Sequence, residues 1–165
     1  MSIIEELGVK VTTNIDTSEL ESLNGICPEY DEIINSIINT LKSDEPRVTE
    51  AVAESLSNNM TIIIAQQSYL TGRMAESTVV EQSGNTADVG VTALSDEGFP
   101  YPLVIEFGRA EIYKSDGVLH WIQNGMSVFS HRSGAVAPRP FVEKSIMETL
   151  DNVEPLVCSV LSVLD

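Results

Sequence analysis

The chain has 165 residues and a formal net charge of −16, with 42% apolar, 21% charged and only 5% aromatic residues. That length suits one domain with a modest aliphatic core, and the balance of apolar to charged residues excludes a disordered tail. The acid excess excludes a protein that grips a phosphate backbone, because such binding draws on clustered Lys and Arg.

Apolar clusters such as Ile62-Ile63-Ile64-Ala65 fall far short of the roughly 20 residues that cross a bilayer, so no membrane partner is expected. The opening MSIIEELGVK carries acids where a secretory leader needs bases, which predicts a protein that stays in the cytoplasm where it is made. Cys27 and Cys158 stand far apart with no CxxC or metal spacing, and are expected as free, buried thiols. Five of the nine Lys and Arg residues (Arg109, Lys114, Arg132, Arg139 and Lys144) fall in one C-terminal segment, whereas the N-terminal third is acidic.

The whole of 1–165 reads as a single domain in four stretches. Residues 1–27 mix short apolar pairs with Thr and Asp and show no sustained period. In the helical region 28–70, Tyr30, Ile33, Ile34, Ile37, Ile38 and Leu41 recur at three-and-four spacing, as do Val52, Leu56, Met60, Ile63 and Ile64. Pro28 and Pro46 each suit a first helical turn, which predicts two antiparallel helices broken at KSDE.

From 74 to 132 the period changes to two, and an antiparallel sheet is expected. MAESTVVEQ and TADVGVTAL flank the turn residues SGNT; GVLHWIQ and MSVFSHR flank Asn124-Gly125, a strong hairpin signal. Between them, GFPYP breaks the sheet, and Leu103–Phe107 reads either as a helical turn closed by Gly108 or as a strand end. Pro138 and Pro140 cannot serve a central strand, so the sheet ends there. Pro140 then opens a C-terminal helical region over 139–164 with Phe141, Val142, Ile146 and Leu150 on its apolar face, kinked or interrupted at Pro155. The fold class is α+β: N-terminal helices, an antiparallel sheet with a long hairpin, and a C-terminal helix packed on the sheet.

Chemistry is sparse. His120 and His131 lie on the two arms of the predicted hairpin, with Glu106 as a conceivable third ligand, but no third group stands at a recognised metal spacing. No GxSxG elbow, GxxxxGK[ST] or GxGxxG occurs, so no catalytic residue, cofactor or metal is expected. Asn59 in NMT matches a glycosylation acceptor by chance. Trp121 and Phe129, on opposed strands, are expected to pair on a buried face or at an interface.

The order of motifs carries more. YLTGRMAESTVV after a long helix, YPLVIEFGRA, the hairpin VLHWIQNGMSVFSHR and then SGAVAPRPFVEKSI resembles the gene-ten-like minor tail or tail-completion family of lambdoid and other long-tailed phages. The matches are Thr71, Gly72 and Arg73; Tyr101 with Glu106, Phe107 and Gly108; and Arg139, Pro140 and Phe141, over about residues 48 to 152. Leu70 stands where that family has an aspartate, and Arg109 where it has a small polar residue.

The resemblance implies a non-enzymatic virion protein, made in the host cytoplasm and placed at the head–tail neck or proximal tail. There, six or twelve copies would form a ring with other neck and tail proteins, around a channel that DNA crosses without specific binding. On physical grounds Gly72, Glu106, Phe107, Gly108, Pro140 and Phe141 are expected to define the fold, with Gly72 and Gly108 in tight turns and Glu106 in an ion pair with Arg109 or Arg73. Arg109, Arg132, Arg139 and Lys144 are the expected subunit contacts, since ring neighbours meet through unlike patches. The alternatives are a tail terminator capping the tail tube, a small metal-dependent enzyme using His120, His131 and Glu106, and an acidic binding module outside any virion.

Overall fold

A computed structural model describes residues 7–67, 72–94, 101–123 and 125–161. The expectations that touch residues 2–6, the helix end at Ser68, Leu70 and Thr71 of the family stretch, the start of the GFPYP break, the Asn124 turn position and Leu164 lie outside the described residues.

The fold is α+β. Strand β1 (Val9–Thr12) and a short helix α1 (Ser18–Glu21) precede a 3-10 turn at Pro28–Tyr30 and the long helix α2 (Asp31–Gln67). After a second 3-10 turn come β2 (Thr78–Ser83), β3 (Thr86–Val91) and helix α3 (Tyr101–Phe107). Four short strands follow: β4 (Ile112–Tyr113), β5 (Leu119–Gln123), β6 (Met126–Ser130) and β7 (Arg132–Ser133). The described chain ends with helices α4 (Val142–Leu150) and α5 (Val153–Val160). The antiparallel strands divide into sheets β1-β3-β2, β4-β7 and β5-β6.

The core lies between α2 and the three-stranded sheet. Strand β3 is central, pairing Val9–Thr12 on one side and Thr78–Ser83 on the other, and its Ala87, Val89 and Val91 are fully buried. Facing them, α2 buries Ala53, Leu56, Met60, Ile63 and Ile64 at the spacing of one helical face. Phe141, fully buried, joins the same cluster from the start of α4. The polar residues that α4 buries find partners within reach. Ser145 Oγ donates to the Phe141 carbonyl at 2.6 Å and Thr149 Oγ1 to the Ser145 carbonyl at 2.8 Å; Asn59 Nδ2 donates to Thr149 Oγ1 at 2.9 Å.

Several expectations are corrected. The C-terminal helices α4 and α5 pack chiefly on α2 and not on the sheet, and Asn59 of α2 is the residue that bonds Thr149 of α4. Residues 31–67 form one helix of 37 residues, roughly 55 Å long at 1.5 Å per residue, and Pro46 lies inside it. Proline removes one helical hydrogen bond and crowds the preceding turn. Here neighbouring segments hold the backbone on course, Gln82 Nε2 donating to the Pro46 carbonyl at 2.8 Å and Ile15 N–H to Glu45 Oε1 at 3.0 Å, while within the helix Thr49 Oγ1 donates to the Glu45 carbonyl at 2.9 Å. KSDE also contains no glycine or asparagine to reverse the chain. Pro46→Ala is therefore expected to raise stability by about 1–3 kcal/mol, since it restores a donor in a helix interior. Thermal melting checks this; a lower midpoint would mean that the proline relieves a bend the fold needs.

The apolar stripe Tyr30–Leu41 is only partly buried: Ile38 is inside, whereas Tyr30, Ile33 and Ile37 are exposed, because the sheet reaches along α2 only to about Pro46. Helix α4 starts at Val142, two residues after Pro140, and its Leu150 is exposed while Ser145 and Thr149 face inward. Pro155 does not kink a continuous helix. The break falls at Asp151–Asn152, and Pro155 sits in the first turn of α5. Cys27 and Cys158 are exposed free thiols, the first in the turn before Pro28 and the second on the outer side of α5.

Candidate functional site

Two regions anchored on α2 gather exposed apolar side chains, besides the scattered Ile62, Phe107, Met147 and Leu150. At its N-terminal end, residues 13–27 run back along the helix: Lys42 Nζ donates to Glu21 Oε1 at 2.8 Å, Asn24 Nδ2 to Asn35 Oδ1 at 3.1 Å and Gly25 N–H to Asp31 Oδ1 at 2.9 Å. This arm exposes Leu23, Ile26, Tyr30, Ile33 and Ile37. Its charge is one-sided, with Asp16, Glu19, Glu21, Glu29, Asp31 and Glu32 and no Lys or Arg from 16 to 41. The Glu21 carboxyl is held below its usual range by the hydrogen bond from Lys42 and then that from Thr17; Asp16 is lowered by the Ser18 backbone N–H. Those arm contacts are present above the ordinary carboxylate range and are lost as pH falls through the depressed values.

Residues 108–138 meet the body at the other end of α2. Arg109 and Val136 exchange both backbone hydrogen bonds at 2.9 Å, Arg139 N–H donates to the Ile105 carbonyl at 2.7 Å, and Arg139 Nη1 donates to the Gln67 carbonyl at 2.8 Å. The β5-β6 hairpin pairs Leu119–Gln123 with Met126–Ser130, in the strand order expected. Among the described residues it joins no other sheet, and a two-stranded hairpin alone is marginally stable in water. Its register puts His120 opposite Phe129 and Trp121 opposite Val128.

That register corrects the expected Trp121–Phe129 pair, since successive side chains alternate faces. Trp121 lies half-buried on one face with Leu119 and Val128. His120, Ile122 and Phe129 share the other with Val118, and Ile122 and Phe129 are 62% and 64% exposed. The His120 ring stacks on Phe129 with centroids 4.6 Å apart.

The four predicted contact cations are placed differently from one another. Arg109 donates to Ser133 Oγ and to the Ala110 carbonyl, bracing β7. Arg132 meets Glu111 at 3.4 Å with both side chains exposed, an ion pair of little net strength. Arg139 and Lys144 gather at the C-terminus of α2, where carbonyls lack helical partners and the dipole favours cations. With the Gln67 amide oriented by its hydrogen bonds, its oxygen accepts from Lys144 Nζ at 2.9 Å and its nitrogen donates to the Arg139 carbonyl at 3.2 Å.

The fold-defining set also sorts itself. Gly108 closes α3 at φ +70° and Gly72 turns at φ +70°, its carbonyl accepting from Glu76 N–H at 3.0 Å. Pro140 and Phe141 lead into α4. Phe107, 68% exposed, forms no part of the core.

Glu106 does not form the expected ion pair with Arg109 or Arg73. It is buried, and its Oε2 accepts from the N–H groups of Phe141 at 2.8 Å and Val142 at 3.2 Å, so it caps α4 from a distant segment. The carboxylate is thereby committed to a helix start and not to the histidines. His120 is on the hairpin's outer face, and the His131 carbonyl accepts from Lys114 N–H at 2.8 Å. Among the described residues, no group of three or more His, Cys, Asp or Glu side chains is placed to hold a metal ion, and no helix is long and apolar enough to cross a membrane.

Comparison with family models, with curated proteins and with solved structures finds no match to this chain.

Sequence reasoning missed the arm. Its signal was present in Tyr30, Ile33, Ile34, Ile37, Ile38 and Leu41, an apolar arc wide enough to serve two partners where the fold supplies one.

Proposed function

We propose that this chain is a structural protein of a tailed virus, a tail-completion or head–tail connector component that assembles as a ring around the DNA channel. The observation that carries this reading is the pair of exposed apolar surfaces anchored at opposite ends of one 37-residue helix. A soluble protein seldom leaves such patches without a partner. Two different patches on one chain favour a head-to-tail contact, and such contacts close into rings when the rotation permits.

Two further features agree. A net charge of −16 suits the wall of a channel through which DNA must slide without sticking. The resemblance of TGR, EFG and RPF, in that order, to the tail-completion family points the same way. Arg109 and Arg132 belong to the unit that presents the hairpin and stand as the subunit-contact cations, whereas Arg139 and Lys144 also brace α2.

Loss of the gene from the encoding virus is the test. Electron microscopy of the lysate is expected to reveal filled heads apart from tails, or tails with aberrant ends that fail to join. Normal infectious particles would exclude the role. Tails of uncontrolled length would instead assign the chain to the tail terminator.

A further inference from the structure

We propose that the outer face of the β5-β6 hairpin of one copy docks on the exposed stripe of the arm of the next copy. This rests on the ring reading only in expecting that copies meet; which surfaces meet is argued from the fold.

Each surface lacks what the other supplies. The hairpin face offers Val118, Ile122 and Phe129, all exposed; the arm offers Ile26, Tyr30, Ile33 and Ile37, also exposed. Their lengths agree: five strand residues span about 17 Å, and α2 from Asp31 to Leu41 spans about 16 Å. Their charges are opposite. The segment that presents the hairpin, residues 108–138, carries Arg109, Lys114 and Arg132 against Glu111 and Asp116, whereas residues 16–41 carry six acids and no Lys or Arg. Glu29 and Glu32, both exposed, flank the arm's stripe.

Arm-with-arm pairing fails on the same ground, because it would bring six acids against six with no Lys or Arg among them. Because the two surfaces are anchored at opposite ends of α2, one copy does not satisfy its own hairpin with its own arm. A second copy of this chain is the occupant that the shape and charge select.

Two variants test the pairing: Phe129→Asp on the hairpin and Ile33→Asp on the arm. Both positions are more than half exposed, so the fold is expected to survive, and circular dichroism and melting of each variant establish that it does. Sedimentation over a concentration series is expected to give oligomers for the native chain and monomers for each variant, with association weakened at least ~100-fold. Mixed together, the two variants are expected to form a one-to-one heterodimer and nothing larger, since each keeps the surface that the other has lost.

Raising salt from about 0.05 to 0.5 M is expected to weaken native association by roughly tenfold. Variants that assemble like the native chain, a mixture that stays monomeric where the native chain associates, or a native chain monomeric to about millimolar would each overturn the pairing. Ile122→Asp, a second hairpin variant, must behave as Phe129→Asp does. None of these results bears on whether particles need the protein, which the lysate experiment decides separately.

Discussion

Gly108→Ala is expected to destabilise the protein by about 3–5 kcal/mol. Gly108 ends α3 at φ +70°, where an L side chain is disfavoured by about 1–2 kcal/mol. A Cβ there would lie 2.6 Å from the Val136 carbonyl oxygen, 2.8 Å from Pro138 N and 2.9 Å from Pro138 Cδ. Backbone cannot yield as a flexible side chain does, and Val136 is the residue that exchanges two hydrogen bonds with Arg109. Relieving the clash opens that bridge, at about 1 kcal/mol for each bond lost. The midpoint of thermal unfolding should fall by roughly 6–20 °C for a chain of this size. Hydrogen exchange should rise first across residues 108–138, with α2 still protected. A change below 1 °C, with the bridge amides still protected, would show that the corner is not held as described.

Glu106→Ala is expected to cost about 2–4 kcal/mol. The residue at the start of α4 is Phe141, whose side chain has no acceptor, so the first N–H groups of that helix depend on Glu106. Hydrogen bonds to a charged group contribute about 1.5–3 kcal/mol, and removal leaves buried donors without partners. Glu106→Gln keeps an acceptor oxygen and loses only charge and dipole complementarity, so about 1 kcal/mol is expected. Denaturant unfolding of the two variants separates the readings. If Ala and Gln cost the same, capping is not what the carboxylate contributes.

The parts of the fold legible in the sequence are those written within a few residues. Period-two runs around SGNT produced β2 and β3, and those around Asn124-Gly125 produced β5 and β6, because turn chemistry and alternation are local. The parts that were not legible depend on distant partners. Val9–Thr12 becomes a strand only because β3, over seventy residues later, has an open edge. Pro46 reads as a boundary by local rule, yet Gln82 and Ile15, both remote in sequence, hold the helix through it.

The candidate site follows the same division. Arg109, Arg132, Arg139 and Lys144 stood out by the scarcity of cations around them, but their roles within the chain did not. Arg139 reaches Gln67 across 72 residues, and Glu106 reaches Phe141 across 35. The Trp121–Phe129 pairing failed for a narrower reason: a register shifted by one residue changes which side chains share a face. The exposed stripe of the arm was visible as a wide apolar arc, but its exposure depends on where the sheet ends along α2, which spacing does not state.

For the virion role proposed above, the most direct measurement is electron cryomicroscopy of the head–tail junction in particles of the tailed virus that the proposal requires to encode the chain. The expected result is a ring of copies around the channel, each recognised by its 37-residue helix, with one hairpin on the neighbouring arm and acidic side chains toward the lumen. A junction whose rings are built entirely from other chains, with this one found nowhere in the particle, would contradict the virion reading.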